Sequence, residues 1–529
     1  MPILPVAGQN KKEAAVIGSG FGGIAAAIRL QASGFKTTLF ESRDRAGGRA
    51  YRYEIDGYSF DAGPTVITVP DTIEELFQIC GKDMNDYVTL MPVEPYYRLY
   101  WEDGKQFDYS QHSEKLREQI KALAPDDLDG YDRFCAYAEQ VYEKGYKELC
   151  HVPFLKFTDM LKVAPDLIKL QAYRSVYSTV SKFVKNEKMR QVLSFNSLLI
   201  GGNPFQASAI YTLIHPLEKK FGVWFPKGGT HALIMGLIKL FEDMGGKLLL
   251  NTPVEEIITD QHTVTGVRTH QGIHSCNAVV SNGDVHQTYK QLLAREPKAK
   301  TKAWKVGHMR HSMSLFVMHF GTNKKFPNLV HHNILLGKRY RGLLDDIFHN
   351  GVLAEDFSLY LHAPGRSDPS LAPEGGESFY VLSPVPNLKK LPEDWDKIGQ
   401  IYGDRILKAL EDQVMPGLRD SIVVKKIFTP KDFENELGAY QGAAFSLEPT
   451  LTQSAWFRTH NRDSRIKGLY FVGAGTHPGA GVPGVIGSAK ATASVLLEDY
   501  GLQQPDFDRA VIPSQFPAPG AELTAGSVH

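Results

Sequence analysis

The sequence predicts an α/β chain built around one dinucleotide-binding domain of discontinuous segments, with an inserted α+β domain and a helical subdomain. Three observations carry this. An apolar run almost at the N-terminus leads into a glycine-rich turn, Ala14-Ala15-Val16-Ile17-Gly18-Ser19-Gly20-Phe21-Gly22-Gly23. A second glycine-rich segment, Val472-Gly473-Ala474-Gly475-Thr476-His477-Pro478-Gly479-Ala480-Gly481, lies close to the C-terminus. The 529 residues between and around them are enough for two or three domains with a large core. A chain that starts and finishes one ligand site must fold the rest as insertions into that domain.

Residues 14–17 suit a buried parallel strand. Gly18, Gly20 and Gly23 then supply G-x-G-x-x-G, and residues 23–33 are strongly helical, with Gly34 placed to end the helix. Gly18 permits the tight turn, Gly20 lets a pyrophosphate approach the backbone, and Gly23 allows close helix–strand packing, which together predict a Rossmann-like unit. The helix N-terminus offers free N–H groups and a positive dipole end to phosphates. Residues 36–40 read as the second strand, and Glu41 stands roughly 20 residues past the first glycine, where a carboxylate accepts from ribose hydroxyls. This unit alone does not separate NAD from FAD.

The next segment does. Arg43-Asp44-Arg45-Ala46-Gly47-Gly48-Arg49 puts a glycine pair between Arg45 and Arg49, either of which can place a guanidinium over a pyrophosphate. The doublet resembles the flavin enzymes that include amine oxidases, protoporphyrinogen oxidase and carotenoid desaturases, and so implies FAD. Gly63-Pro64 is then expected as a backbone turn near the flavin ring. Near the C-terminus, Gly479-Ala480-Gly481-Val482-Pro483-Gly484 also matches G-x-G-x-x-G. It lacks an acid at a strand end, since Glu498 and Asp499 close a helix instead, and the preceding strand stops near Val472. It reads as a loop feeding a helix from about Val485 to Leu497 whose N-terminus points at the flavin.

Gly468 through Ser488 resembles the signature of bacterial-type phytoene desaturases, in the carotenoid and retinoid oxidoreductase family. So do Phe60-Asp61-Ala62-Gly63-Pro64-Thr65-Val66-Ile67-Thr68, Gly222-Val223-Trp224-Phe225-Pro226-Lys227-Gly228-Gly229-Thr230 and Leu451-Thr452-Gln453-Ser454-Ala455-Trp456-Phe457-Arg458. The likeness spans roughly residues 13–500 and implies an amine-oxidase/GDI-like flavoprotein fold. FAD contacts are implied at Gly18, Gly20, Phe21, Gly22, Gly23, Glu41, Ser42 and Arg43, and at Gly47, Gly48, Arg49, Gly63, Pro64 and Thr65. Val254 is implied against the adenine, and Gly473, Ala474, Gly475, Pro483, Gly484 and Val485 against the flavin. The implied reaction inserts C=C bonds into phytoene, giving lycopene or partly desaturated carotenes, with the hydride passing to flavin N5. A desaturase of a C30 or hydroxylated carotene, a carotene ketolase, and a non-enzymatic isoprenoid-binding relative are the competing readings.

The expected division is an FAD domain from 1–80, 225–300 and 441–503, a substrate domain from 81–110 and 301–440, a helical subdomain from 111–224, and a flexible tail over 504–529. Residues 225–300 should form βα units with a helix near His231–Met244 and strands at Lys247–Asn251 and Ala278–Val280; Asn282 and Asp284 follow with no clear ligand role. Alternating runs at 314–320 and 378–382 read as substrate-domain strands. Apolar residues at helical spacing from Phe157 to Phe183 predict amphipathic helices that face either a core or, given interleaved Lys156, Lys162, Lys169, Arg174 and Lys182, a bilayer. Asp159 and Lys162, at i,i+3, are the candidate acid–base pair.

Equal totals of basic and acidic residues, 59 each, leave no basic field for nucleic acid. Cys80, Cys135, Cys150 and Cys276 have no C-x-x-C spacing and read as free thiols in a reducing compartment. His308/His311 and His331/His332 lack partner ligands, so no metal is expected. There is no 18-residue apolar run and no leader pattern at the start, so a cytoplasmic protein is expected, held peripherally to the inner face of the cell membrane if its substrate is a carotene. No second complete dinucleotide unit is visible, so electrons are expected to leave to oxygen or a quinone.

Overall fold

The computed structural model describes residues 12–502 and Phe516; the tail expected over 504–529 otherwise lies outside them. Two sheets organise the chain. The first is a five-stranded parallel sheet in the order Lys247–Leu249, Lys36–Phe40, Glu13–Ile17, Ala278–Ser281, Leu469–Phe471. Its strands come from the start, middle and end of the chain, so the C-terminal segment closes the sheet that the N-terminal segment opens. Helix Phe21–Ala32 covers one face together with Val482–Asp499 and Thr230–Asp243, in a core that includes Ile24, Ile28, Leu237 and Ile486. An antiparallel meander (Val254–Asp260, Thr263–Thr269, Gly272–Ser275) lies on the other face.

The middle-segment strand is shorter than expected, ending at Leu249, and Val254 opens the meander instead. The C-terminal helix begins at Val482 rather than Val485, because Pro483 in its first turn needs no hydrogen-bond partner for its nitrogen.

The second sheet has seven strands, ordered Ile422–Phe428, Ser314–Thr322, Glu377–Val385, Leu359–His362, His332–Leu336, Tyr97–Trp101, Gln106–Tyr109. All neighbours are antiparallel except His332–Leu336 with Tyr97–Trp101. Strand Ser314–Thr322 is buried along its whole length, and its alternation decides what each face does. Phe316, Met318 and Phe320 pack with residues of helix Trp395–Gln413, such as Tyr402 and Ile406. Leu315 and Val317 point the other way, into a cavity.

Residues 113–221 are mainly short helices that wall that cavity. Helix Phe157–Lys169 has no buried residue, and no described helix is long and apolar enough to cross a membrane.

Candidate active site

One cavity of about 800 Å³ reaches from the C-terminal ends of the parallel strands to the inner face of the seven-stranded sheet. At its parallel-sheet end, Gly18 (φ +91°) turns the chain out of its strand, and Gly20, at the N-cap of helix Phe21–Ala32, has no side chain to satisfy the first-turn N–H groups. Those donors are left for an anion. The Gly47-Gly48 turn stacks on the first, with the Gly47 N–H donating to Ser19 O at 3.0 Å. A Cβ on Gly48 would sit 3.4 Å from Gly20 Cα.

Glu41 is buried and already set. Its Oε2 accepts from Ser19 N (3.0 Å) and Ser19 Oγ, and its Oε1 accepts from Arg43 N at 3.0 Å. The Arg43 guanidinium stacks 3.8 Å over the Tyr51 ring and pairs with Glu436 at 3.1 Å. Arg49 is half-buried at the cavity, and burial pushes its pKa down against the opposing pull of Asp284. Its Nε donates to Ala444 O at 2.8 Å, and no carboxylate lies in ion-pair distance of it among the described residues. A half-buried cation in no direct ion pair, beside a glycine turn whose helix offers its first-turn N–H groups, is a fit for a pyrophosphate. Arg45, by contrast, pairs outward with Glu54 at 3.0 Å and does not reach the cavity.

Of the residues expected to hold FAD, Gly18, Gly20, Phe21, Gly22, Glu41, Ser42 and Arg43 line the cavity, as do Gly47, Gly48, Arg49, Gly63, Pro64 and Thr65. Val254, Ala474, Pro483, Gly484 and Val485 also line it, and these residues would hold an FAD there. Gly23, Gly473 and Gly475 do not. A Cβ on Gly23 would fall 1.9 Å from Gly18 O, on Gly473 2.5 Å from Asn282 Oδ1, and on Gly475 2.7 Å from Val285, so these three serve close backbone packing.

Asn282, expected only to follow its strand in a βα unit, lines the cavity and joins the two glycine segments. It follows strand Ala278–Ser281, which lies between the strands that feed them. Its Nδ2 donates to Gly18 O at 3.3 Å, and a Cβ on Gly22 would meet its Oδ1 at 2.8 Å. Arg458 is a second such residue. Buried and without a carboxylate partner, it donates to Leu447 O and Gln453 O (both 3.1 Å) and to Ala474 O at 2.6 Å, pinning the C-terminal loop from behind.

Two shared motifs find a structural explanation here. The Asp61 carboxylate accepts from Thr230 N (2.9 Å) and His231 N (3.2 Å), capping helix Thr230–Asp243 behind Gly229. Burial pushes Asp61 up to about 6. Beyond Gly63, Thr65 Oγ1 shares hydrogen bonds with Tyr360 (2.8 Å) and Tyr380 (2.6 Å), and Tyr380 donates to Gly63 O at 2.9 Å.

Asp159 and Lys162 do not meet at the cavity. Asp159 accepts from Lys156 N at 3.0 Å and so caps the surface helix Phe157–Lys169, while Lys162 is 79% exposed and 3.9 Å from it. Neighbouring Met160, Val163 and Leu167 face the cavity instead. The expectation that His331 and His332 lack a further partner is corrected: strand Leu359–His362 supplies His362, and one ring nitrogen of each of the three lies within 4.8 Å of the others. His362 Nε2 and His331 Nε2 share a 3.0 Å hydrogen bond, and burial depresses all three imidazoles, so they are neutral.

The flavin containing amine oxidoreductase family model matches residues 21–497. A "Phytoene desaturase (lycopene-forming)" of Pseudescherichia vulneris is 55% identical over 489 residues, 92% of this chain and 99% of the relative. One of the same description from Pantoea ananas is also 55% identical over the same shares. Among solved structures, cyclohexylamine oxidase from Brevibacterium oxydans superposes with a TM-score of 0.60 at 15% identity, covering 93% of this chain and all of that one, a likeness of fold. The cofactor is FAD. The chain belongs to the flavin containing amine oxidoreductases and, within them, to the phytoene desaturase family.

Proposed function

We propose that this protein is an FAD-dependent phytoene desaturase forming lycopene. What supports the reading is the one cavity that joins a dinucleotide cradle to a chamber lined by Leu315, Val317, Ile334, Leu336 and Phe195. A chamber of that mainly apolar composition suits a hydrocarbon. Bound FAD would supply the two-electron acceptor that removes a hydride from a saturated carbon. The protein's own part is to bury the polyene, exclude water, and hold it against the turn Gly63-Pro64-Thr65 and the N-terminus of helix Val482–Asp499. The electrons then leave to oxygen or a quinone. Expressed in cells that accumulate phytoene, the chain should convert the colourless pool to red lycopene resolved by chromatography; phytoene left unchanged would overturn the reading.

The same reading places the protein on the inner face of the cell membrane through helix Phe157–Lys169. One face of that helix carries Met160, Val163 and Leu167 into the cavity, while Phe157, Leu161 and Ile168 stand on the outside, 49%, 57% and 66% exposed. Lys162 and Lys169 are exposed beside them, which suits an anionic bilayer. A water-insoluble substrate would then pass a single helix on its way from lipid to chamber. Leu161→Glu with Ile168→Glu should lower co-sedimentation with anionic vesicles at least about tenfold, since burying each of these apolar side chains in lipid is worth roughly 1–2 kcal/mol. The melting temperature should hold, because both side chains face solvent. Undiminished vesicle binding would refute this placement.

A further inference from the structure

Four carboxyl side chains line the cavity among the described residues, and three are committed at its dinucleotide end. Glu41 accepts from Ser19 and Arg43, Glu436 pairs with Arg43, and Asp284 accepts from Gln287 N at 3.1 Å. The fourth, Glu218, lies at the apolar end. It sits on helix Ile214–Phe221, is 1% exposed, and has no cation in ion-pair distance among the described residues. Its Oε1 accepts from Tyr97 Oη at 2.7 Å and its Oε2 from Asn196 Nδ2 at 2.9 Å. A carboxylate has about four lone-pair directions, so two remain free on a group that borders the substrate chamber.

Resting on the desaturase reading above, we propose that Glu218 is the base that takes the proton released in desaturation. Forming a C=C bond between two saturated carbons breaks two C–H bonds. One leaves with its electron pair as hydride, to the FAD. The other leaves its pair behind to become the second bond between the carbons, and its proton needs an acceptor. The other polar groups near the turn at Gly63 are neutral phenols and a threonine hydroxyl, none of them a base. Glu218 takes the proton on a free lone pair and becomes a carboxylic acid, which returns it to water when product leaves.

The surroundings tune the group for this task. Burial raises the Glu218 carboxyl to about 8, while the hydrogen bonds from Tyr97 and Asn196 pull the other way. The groups facing it are uncharged. Burial holds the phenols of Tyr96, Tyr97 and Tyr109 well above their ordinary value and His215, on the same helix, down at about 4. Lys219 and Lys220 turn outward, one over the Tyr131 ring and one to Glu139 at 3.0 Å. A base with a pKa near the working pH combines availability with driving force. The acting form is the carboxylate, so turnover should rise with pH and level off above about 8.

Glu218→Gln tests this. Purified with FAD, it should lose lycopene formation by on the order of 10²–10⁴-fold while phytoene binding stays. Infrared difference spectra without substrate should show a protonated carboxyl band that titrates near pH 8 in the wild type and is missing in E218Q. The glutamine amide would point a donor at either Tyr97 or Asn196, so E218Q can also fail to fold. Tyr97→Phe decides in that event: losing a hydrogen bond to the charged form raises the carboxyl's pKa, and the rising limb of the pH profile should move to higher pH with activity regained there. A wild type that makes lycopene while E218Q does so equally, or a Y97F profile that does not move, would overturn the proposal. A wild type that leaves phytoene untouched would overturn the desaturase reading instead.

Discussion

Gly22→Ala should yield a folded but flavin-poor protein that takes up FAD up to roughly a hundredfold more weakly. Gly22 sits in the first turn of helix Phe21–Ala32, where alanine costs the backbone nothing. The penalty is entirely spatial. The new Cβ would lie 2.8 Å from Asn282 Oδ1 and 3.2 Å from Gly473 Cα, and the second neighbour is backbone that cannot swing aside. Overpacking of this kind costs about 1–3 kcal/mol, and here it is relieved by parting the two glycine segments that frame the cofactor. A loss of about 3 kcal/mol in binding is roughly a hundredfold in affinity. Titration of apoprotein with FAD, followed by flavin fluorescence, reads it directly. Asn282→Ala in the same chain should restore only part, since the Gly473 contact remains. Gly34→Ala is the control: its φ is +90° but nothing lies within 4 Å of the added carbon, so it should cost stability without touching FAD. Wild-type affinity in G22A would mean that the two segments do not interlock as described.

That interlock shows what the sequence could and could not disclose. The first strand, turn, helix and second strand were readable because their signals are local: an apolar run, three glycines at fixed spacing, and an acid at a strand end. The C-terminal glycines were readable as a loop feeding a helix for the same reason. Their dependence on Asn282 was not, because the strand that carries Asn282 comes from the middle of the chain and only the sheet order brings it between the other two. Glu218 was hidden in a different way. Followed by Lys219 and Lys220, it reads as a solvated helix end, yet Tyr97, 121 residues away, and Asn196 draw it inside. His362 likewise joins His331 and His332 only through the pairing of two strands, in which it faces His332 directly. Asp159 errs in the opposite sense. An acid and a base at i,i+3 in an apolar stretch look like chemistry, but Asp159 starts a helix, and the helix turns Met160 and Val163 inward instead. Periodicity gives the faces of a helix; it does not say which face meets the site.

Arg458→Met carries the second large effect, and its cause lies in a charge with no counter-charge. Arg458 is 3% exposed and holds three backbone carbonyls, of Leu447, Gln453 and Ala474, with no carboxylate near. Burial lowers its pKa, though a guanidinium stays protonated throughout the working range. Methionine fills much of the same space and removes the cost of burying a cation, which offsets part of the loss. It also strands three carbonyls in a dry interior, at about 1–3 kcal/mol each. The net should be a destabilisation of about 3–5 kcal/mol, and it should concentrate on the loop, because Ala474 and His477 line the cavity while Leu447 and Gln453 lie in the segment behind. Arg458→Lys keeps the charge but replaces a planar fork with a point donor, so it should recover only part of the loss. Thermal melting with and without FAD separates the contributions: if the loop is what Arg458 holds, FAD should raise the melting temperature of R458M less than that of the wild type. Equal FAD-induced shifts in the two proteins would assign Arg458 to general core stability and leave the cofactor loop held by Asn282 and the helix alone.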